Sequence, residues 1–275
     1  MKPLGGQALM EGVMIKAPDN VSMAARKPNG KIITKRERHV SLVQKHRILG
    51  IPFVRGVIHL FEMMVIGVKA LAWSANQQGE EEELGAKEWF FVFFFAIALT
   101  IGLFVLLPYY AAKFFYDPHT IRFGLVDGLI RLLVFLGYLF LIGFMGDVRR
   151  MFQYHGAEHM AVHCYENKLA LKVKNVRKFP PEHPRCGTSL LLFVVAVSIV
   201  LFSLIRTPHW YYNVPARIFL IPVIAGISYE MLKFSAKYRF LRWLSYPGIW
   251  TQKLTTRQPS AKQIEVAIAA VNKAK

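Results

Sequence analysis

The chain has only two cysteines in 275 residues, Cys164 and Cys186. That is too few for a disulfide framework, and both stand near histidines in a basic stretch, which points to a reducing compartment. GxGxxG and Walker patterns are missing, so nothing supports a nucleotide site. The opening MKPLGGQALMEGVM has no continuous apolar stretch after its charge, so a secretory signal is not expected there and insertion would rely on internal segments. No repeat of fixed period is visible. Acidic residues are scarce, with 17 Asp plus Glu against 35 Lys plus Arg and a formal charge of +18. The basic residues are grouped between apolar runs and form neither one tail nor one stripe. With no stacking motif or nucleic-acid-binding pattern beside them, they speak against nucleic acid and for membrane topology.

What the chain does have is apolar residues: 54% of the sequence, 21 of them Phe, with a mean hydropathy of +0.31. That profile predicts an integral membrane protein. Runs at 89–107, 125–145, 188–205 and 216–232 approach the roughly 20 residues that a helix needs to cross a hydrocarbon core. Pro108 is expected to close the first, with Trp89, Tyr109 and Tyr110 as interfacial anchors. Asp127 and Arg131, one helical turn apart in the second, are expected to neutralise each other in the headgroup region. Lys plus Arg number 13 before Trp89, 8 over 146–187 and 9 after Leu232, against two and one in the other two connections. By the positive-inside rule, both termini and the middle loop face the cytoplasm.

The fold expected is an all-α polytopic membrane protein with about four transmembrane helices, an interfacial helix and a small N-terminal β-hairpin on the cytoplasmic side. The hairpin is placed at 21–27 and 31–36 around Pro28-Asn29-Gly30, because Asn and Gly tolerate positive φ. The opening Gly5-Gly6 segment is expected to pack as a buried loop, its glycines allowing another segment to come close. Over 52–73, Arg55, His59, Glu62 and Lys69 fall on one stripe of an otherwise apolar helix, as at a membrane interface; a buried core helix and a re-entrant segment compete with that reading. Residues 76–87, with four consecutive glutamates at 80–83, read as a solvated linker. Ser260 and Gln263 resemble a capping box opening a helix to Val271. The chain thus divides into an N-terminal region (1–88), a first helix pair (89–145), a middle loop (146–187), a second pair (188–232) and a basic C-terminal region (233–275).

The densest chemistry lies at 155–164, with three histidines, an acid and a cysteine. On a helix, His155 and His159 are one turn apart and can grip one metal ion, while Glu158 completes an H-x-x-E-H pattern, the inverted zincin signature, in which the carboxylate takes a proton from water. His163 lies eight positions from His155, about 12 Å along the axis, and is not expected to share that ion. A third ligand is sought in His183 or Cys186, just before the third run, or in Glu230 near the end of the fourth. Glu230 is preferred slightly, since inverted zincins draw their third ligand from a downstream helical glutamate. A divalent metal is expected, zinc above all if Cys186 binds, whereas a purely nitrogen and oxygen site leaves the metal open. Arg149, Arg150, Lys172, Lys174, Arg177 and Lys178 make the same loop basic and suit anionic phospholipids.

The motifs GGQALMEGVM at 5–14, PFVRGV at 52–57, YHGAEH at 154–159, HPRCGTS at 183–189, AGISYE at 225–230 and LTTRQP at 254–259 together resemble the YqhQ family, bacterial membrane proteins described as predicted metal-dependent enzymes. The resemblance runs along nearly the whole chain. It implies a bacterial inner-membrane location and metal at His155 and His159, with His183, Cys186 and Glu230 among the matching positions. Met160 departs from it where a basic residue is expected. The first functional reading is a metal-dependent hydrolase of a lipid-linked or peptide substrate, with Glu158 as general base. Two others stand beside it: a non-enzymatic protein with a structural metal, and a small transporter using Asp127, Arg131 and Glu230.

Overall fold

The computed structural model describes residues 4–79, 85–207 and 209–275. The four glutamates expected in a solvated linker lie outside them. The chain is mostly helical but carries a four-stranded antiparallel meander at its start: β1 (Gly5–Leu9), β2 (Gly12–Lys16), β3 (Asn20–Arg26) and β4 (Ile32–Arg38), paired in that order. The expected hairpin is β3–β4, with Arg26 opposite Ile32 and Gly30 at φ 84° in the turn. The opening segment forms two more strands where a loop was expected. Its strand signal is hidden because the sheet is covered on both faces, so apolar residues run on without alternating with polar ones.

Ala8, Val13 and Ile15 face α6 (Gly146–Glu166) and the C-terminal α11 (Ala261–Ala274). Leu9, Met14 and Met23 face Ala70 and its neighbours on α2 (Val54–Asn76). A short α1 (Leu42–Lys45) links β4 to α2. The expected capping box starts α11: Ser260 accepts from the Gln263 N–H while Gln263 accepts from the Ser260 N–H. From α11, the Ala270 carbonyl accepts from Ser22 at 2.8 Å, and Glu265 pairs with Arg26 at 2.8 Å. The two ends of the chain therefore share one core with α6.

Among the described residues, four helical stretches are long and apolar enough to cross a membrane: 54–76, 87–115, 121–142 and 210–235. They differ from the expected four in two places. The helix read as interfacial qualifies, because it extends to Asn76 and its polar residues find partners: Arg55 pairs with Glu230, and Glu62 accepts from Ser41 at 2.6 Å. The run at 188–205 becomes α8 (Gly187–Ser203), only 17 residues long.

Pro108 does not close the first run. α3 (Ala86–Ile101) passes through a wide turn, Gly102–Leu106, into α4 (Leu107–Phe115). Pro108 has no N–H for the carbonyl of Phe104 four residues earlier, and Arg131 Nε, on α5 (Ile121–Ile142), donates to that carbonyl at 2.9 Å. Tyr109 is fully buried, not an interfacial anchor. Asp127 and Arg131 pair at 2.9 Å as spaced, but in the interior, and Arg217 from α9 (Trp210–Lys237) takes the second oxygen of Asp127 at 2.9 Å. The Phe202 ring lies 4.5 Å from the Arg131 guanidinium and 5.0 Å from that of Arg217. Two elements complete the frame of the site: α7 (Val173–Val176), after α6, and α10 (Tyr246–Thr255), which leads back to it.

Candidate metal centre

His155 and His159 sit one turn apart on α6 with ring centroids 4.3 Å apart. Each ring is held from behind. Nδ1 of His155 lies 2.9 Å from the carbonyl oxygen of Thr255, at the end of α10, and Nδ1 of His159 lies 2.6 Å from that of Pro181. A carbonyl can only accept, so both Nδ1 atoms carry the proton and both Nε2 atoms keep a lone pair, the tautomer that outer hydrogen bonds impose on metal-binding histidines. Nε2 of His155 faces Cys186 Sγ at 3.2 Å. Cys186 is the N-cap of α8, where its sulfur accepts from the Thr188 N–H at 3.3 Å, a contact that eases ionisation but is outweighed by burial.

Ligand atoms of His155, His159 and Cys186 all lie within 4.8 Å of one another. Around tetrahedral zinc, such donors are about 3.5 Å apart, so a small inward shift of side chains closes the set. Two imidazoles and a sulfur suit zinc and leave a fourth position.

Glu158 is buried beside them, its Oε2 4.0 Å from His159 Nε2. β1 lies over this carboxyl so closely that a Cβ on Gly6 would stand 2.7 Å from its Cδ and 2.6 Å from the Met14 carbonyl. Gly6→Ala is therefore expected to cost about 1–3 kcal/mol through overpacking, while Gly5→Ala, with nothing near its Cβ, costs little. Denaturant unfolding of both variants checks this, and equal stability would mean that β1 does not cover Glu158.

Burial sets the electrostatics. It pushes the Glu158 carboxyl up to about 8, helped by Cys186 and opposed by His155. It holds His159 well below the usual imidazole range, with His155 and His183 adding to the effect, and lowers His183 to about 4. The Cys186 thiol is raised by the same burial against hydrogen bonds from Thr188 and Ser189. His159 and His183 are thus neutral near pH 7, the form that binds metal.

The other expected ligands lie elsewhere. His183 joins His163 and Glu166 in a second group whose ligand atoms also lie within 4.8 Å. Both nitrogens of its ring are engaged, Nδ1 accepting from the Arg185 N–H at 3.2 Å and Nε2 facing Glu166 at 3.3 Å. Glu166 also pairs with Arg185, and a carboxylate shared with a guanidinium is a poor metal ligand. Glu230 belongs to neither group: Arg55 binds both its oxygens, at 2.7 and 2.5 Å. His163 stays out of the first group, as its spacing predicts. Pro181 and Thr255, which hold the two rings in place, act through backbone carbonyls and give no sequence signal; Thr188 holds Cys186 through both its N–H and its hydroxyl.

A cavity of about 480 Å³ opens between β1, α6 and the start of α8. Its polar wall includes His155, Glu158, His159, Arg185 and Cys186, and its apolar wall includes Leu4, Ile142, Val148, Met151 and Phe152. The donor atoms, an acid and an apolar surface thus share one chamber at the end of α5.

Comparison with known proteins finds a family described as protein of unknown function (DUF1385), whose model matches residues 51–275. The Bacillus subtilis (strain 168) protein described as uncharacterized protein YqhQ is 33% identical over 294 residues, covering 98% of this chain and 91% of that protein. No solved structure matches.

Proposed function

We propose that this chain, which belongs to the DUF1385 family, is a membrane-embedded hydrolase working with one divalent metal, zinc. The observation that carries the reading is the pair of imidazoles on α6, each pinned through Nδ1 to a backbone carbonyl, with ligand atoms that lie within 4.8 Å of each other and of the Cys186 sulfur. In this reading, His155, His159 and Cys186 are the ligands, and Cys186 takes the place first given to Glu230. Preorganised imidazoles bind without losing further rotamer freedom. The ion supplies Lewis acidity toward a carbonyl or phosphoryl oxygen.

Glu158 is the general base in the metal-loaded protein, where the charge of the nearby ion would favour its carboxylate against burial: it removes a proton from the attacking water and returns it to the leaving group. The apolar wall and the cationic edge at Arg185 suit a lipid-linked substrate with an acyl or isoprenoid portion and an anionic group. We assign this chamber and both termini to the cytoplasmic face of a bacterial inner membrane, a reading supported by the grouping of Lys and Arg between the apolar stretches.

The test is elemental analysis of purified, chelator-washed protein. About one equivalent of zinc is expected in the parent and none in His155→Ala/His159→Ala; Cys186→Ser should bind at least tenfold more weakly. Glu230→Gln and His163→Ala should keep the metal. Equal loss in His163→Ala would move the site to the second group, and no metal in the parent would end the hydrolase reading.

A further inference from the structure

A second cavity, of about 630 Å³, lies where the sheet meets α2, away from the histidines, between β4, the segment leading into α1 and the middle of α2. Its charge is unbalanced. Two acids reach it, and both are already engaged: Glu37 pairs with Lys35 at 2.7 Å, and Glu62 accepts from the Ser41 hydroxyl at 2.6 Å and the Leu42 N–H at 2.5 Å. Three cations that line it, Arg38, Lys45 and Lys69, have no acidic partner among the described residues. His39 lines it too, and its Nε2 is buried without a hydrogen-bond partner among the described residues.

One side of this cationic chamber is apolar and open outward. Phe61 and Val65, on a helix long and apolar enough to cross a membrane, are 61% and 37% exposed at its rim. Three unpaired cations and a free imidazole nitrogen ask for an anion with several acceptor oxygens, and the phosphate group is the common one. An apolar rim continuous with a candidate span asks for hydrocarbon attached to it. A free phosphate would satisfy the first requirement but leave the second unmet.

The geometry points to a binding site for the phosphodiester headgroup of an anionic lipid, held by Arg38, Lys45, Lys69 and His39, with its acyl chains along Phe61 and Val65. It involves no metal ligand and stands whether or not the hydrolase reading does. The three cations are exposed, so their replacement leaves folding intact.

The experiment uses the full chain in a neutral sugar detergent, titrated with dioctanoyl phosphatidylglycerol, dioctanoyl phosphatidylcholine or inorganic phosphate, with binding read by native mass spectrometry and by the thermal unfolding midpoint. Saturable binding of the anionic lipid is expected, weakened at least tenfold in Arg38→Gln/Lys45→Gln/Lys69→Gln and unchanged in Lys31→Gln/Lys262→Gln, two exposed lysines outside this cavity. Displacement of the lipid by an equal concentration of inorganic phosphate would make this a free-phosphate site and overturn the lipid assignment. Equal weakening in both variants, or equal binding of the zwitterionic lipid, would overturn the site itself.

Discussion

Asp127→Asn is expected to destabilise the protein by about 3–5 kcal/mol, the cost of leaving buried charge without its partner. Among the described residues, Asp127 is the only acid paired with the two buried guanidiniums, giving one oxygen to Arg131 and the other to Arg217, each at 2.9 Å. Asparagine keeps one acceptor and loses the charge. Arg131 also ties α5 to the Phe104 carbonyl and to Ser198 at 3.1 Å, so its release loosens three helices together. The Phe202 ring between the guanidiniums recovers part of the loss through cation–π attraction. Detergent-denaturation curves measure the effect, and a loss under 1 kcal/mol would show that the aromatic cage carries the charge. Loss of stability with hydrolysis retained per folded molecule would also set aside a transport role for this pair.

The second large effect belongs to Glu158→Gln. Glutamine is close in size to the protonated acid that burial favours, so the variant should fold and keep its metal, while hydrolysis falls by about 10²–10⁴, the usual contribution of a positioned base. Its stability carries an opposite sign. In metal-free parent protein, a carboxyl near 4.5 unfolded and about 8 folded contributes stability that is complete below pH 4.5 and is lost as pH rises through 8, a difference on the order of 5 kcal/mol. Metal-free Glu158→Gln, which has no such proton to lose, should overtake the parent above pH 8. Retained turnover removes Glu158 as base, and parallel stability profiles mean that the carboxyl ionises freely.

The parts legible in the sequence were those written in local spacing. His155 and His159 one turn apart, Ser260 with Gln263, and Asn29-Gly30 between two strands each define their geometry within a few residues. The proposed third ligand could not be singled out from the sequence. Cys186 and Glu230 both follow the motif at a distance, and the choice between them is made by Arg55, 175 residues from Glu230, which claims that carboxylate. The strands β1 and β2 were hidden by burial on both faces, and the breadth of the first span by Pro108, whose lost hydrogen bond is made good by an arginine on another helix. In each case, the deciding partner lies far along the chain.

The shared core of the two chain ends sets an order of assembly. His155 is pinned by Thr255, and the face of α6 carrying Ala157, Met160 and Ala161 is closed by Ile264, Ala267 and Val271. A ribosome delivers those residues after α6, so the histidine pair is made a hundred residues before the clamp on His155 exists. Until then the imidazole of His155 is free to rotate and its helix lies uncovered. In the proposed reading, metal capture is thereby tied to synthesis of α10, and a chain cut short before α10 ends holds both histidines without the clamp that orients His155.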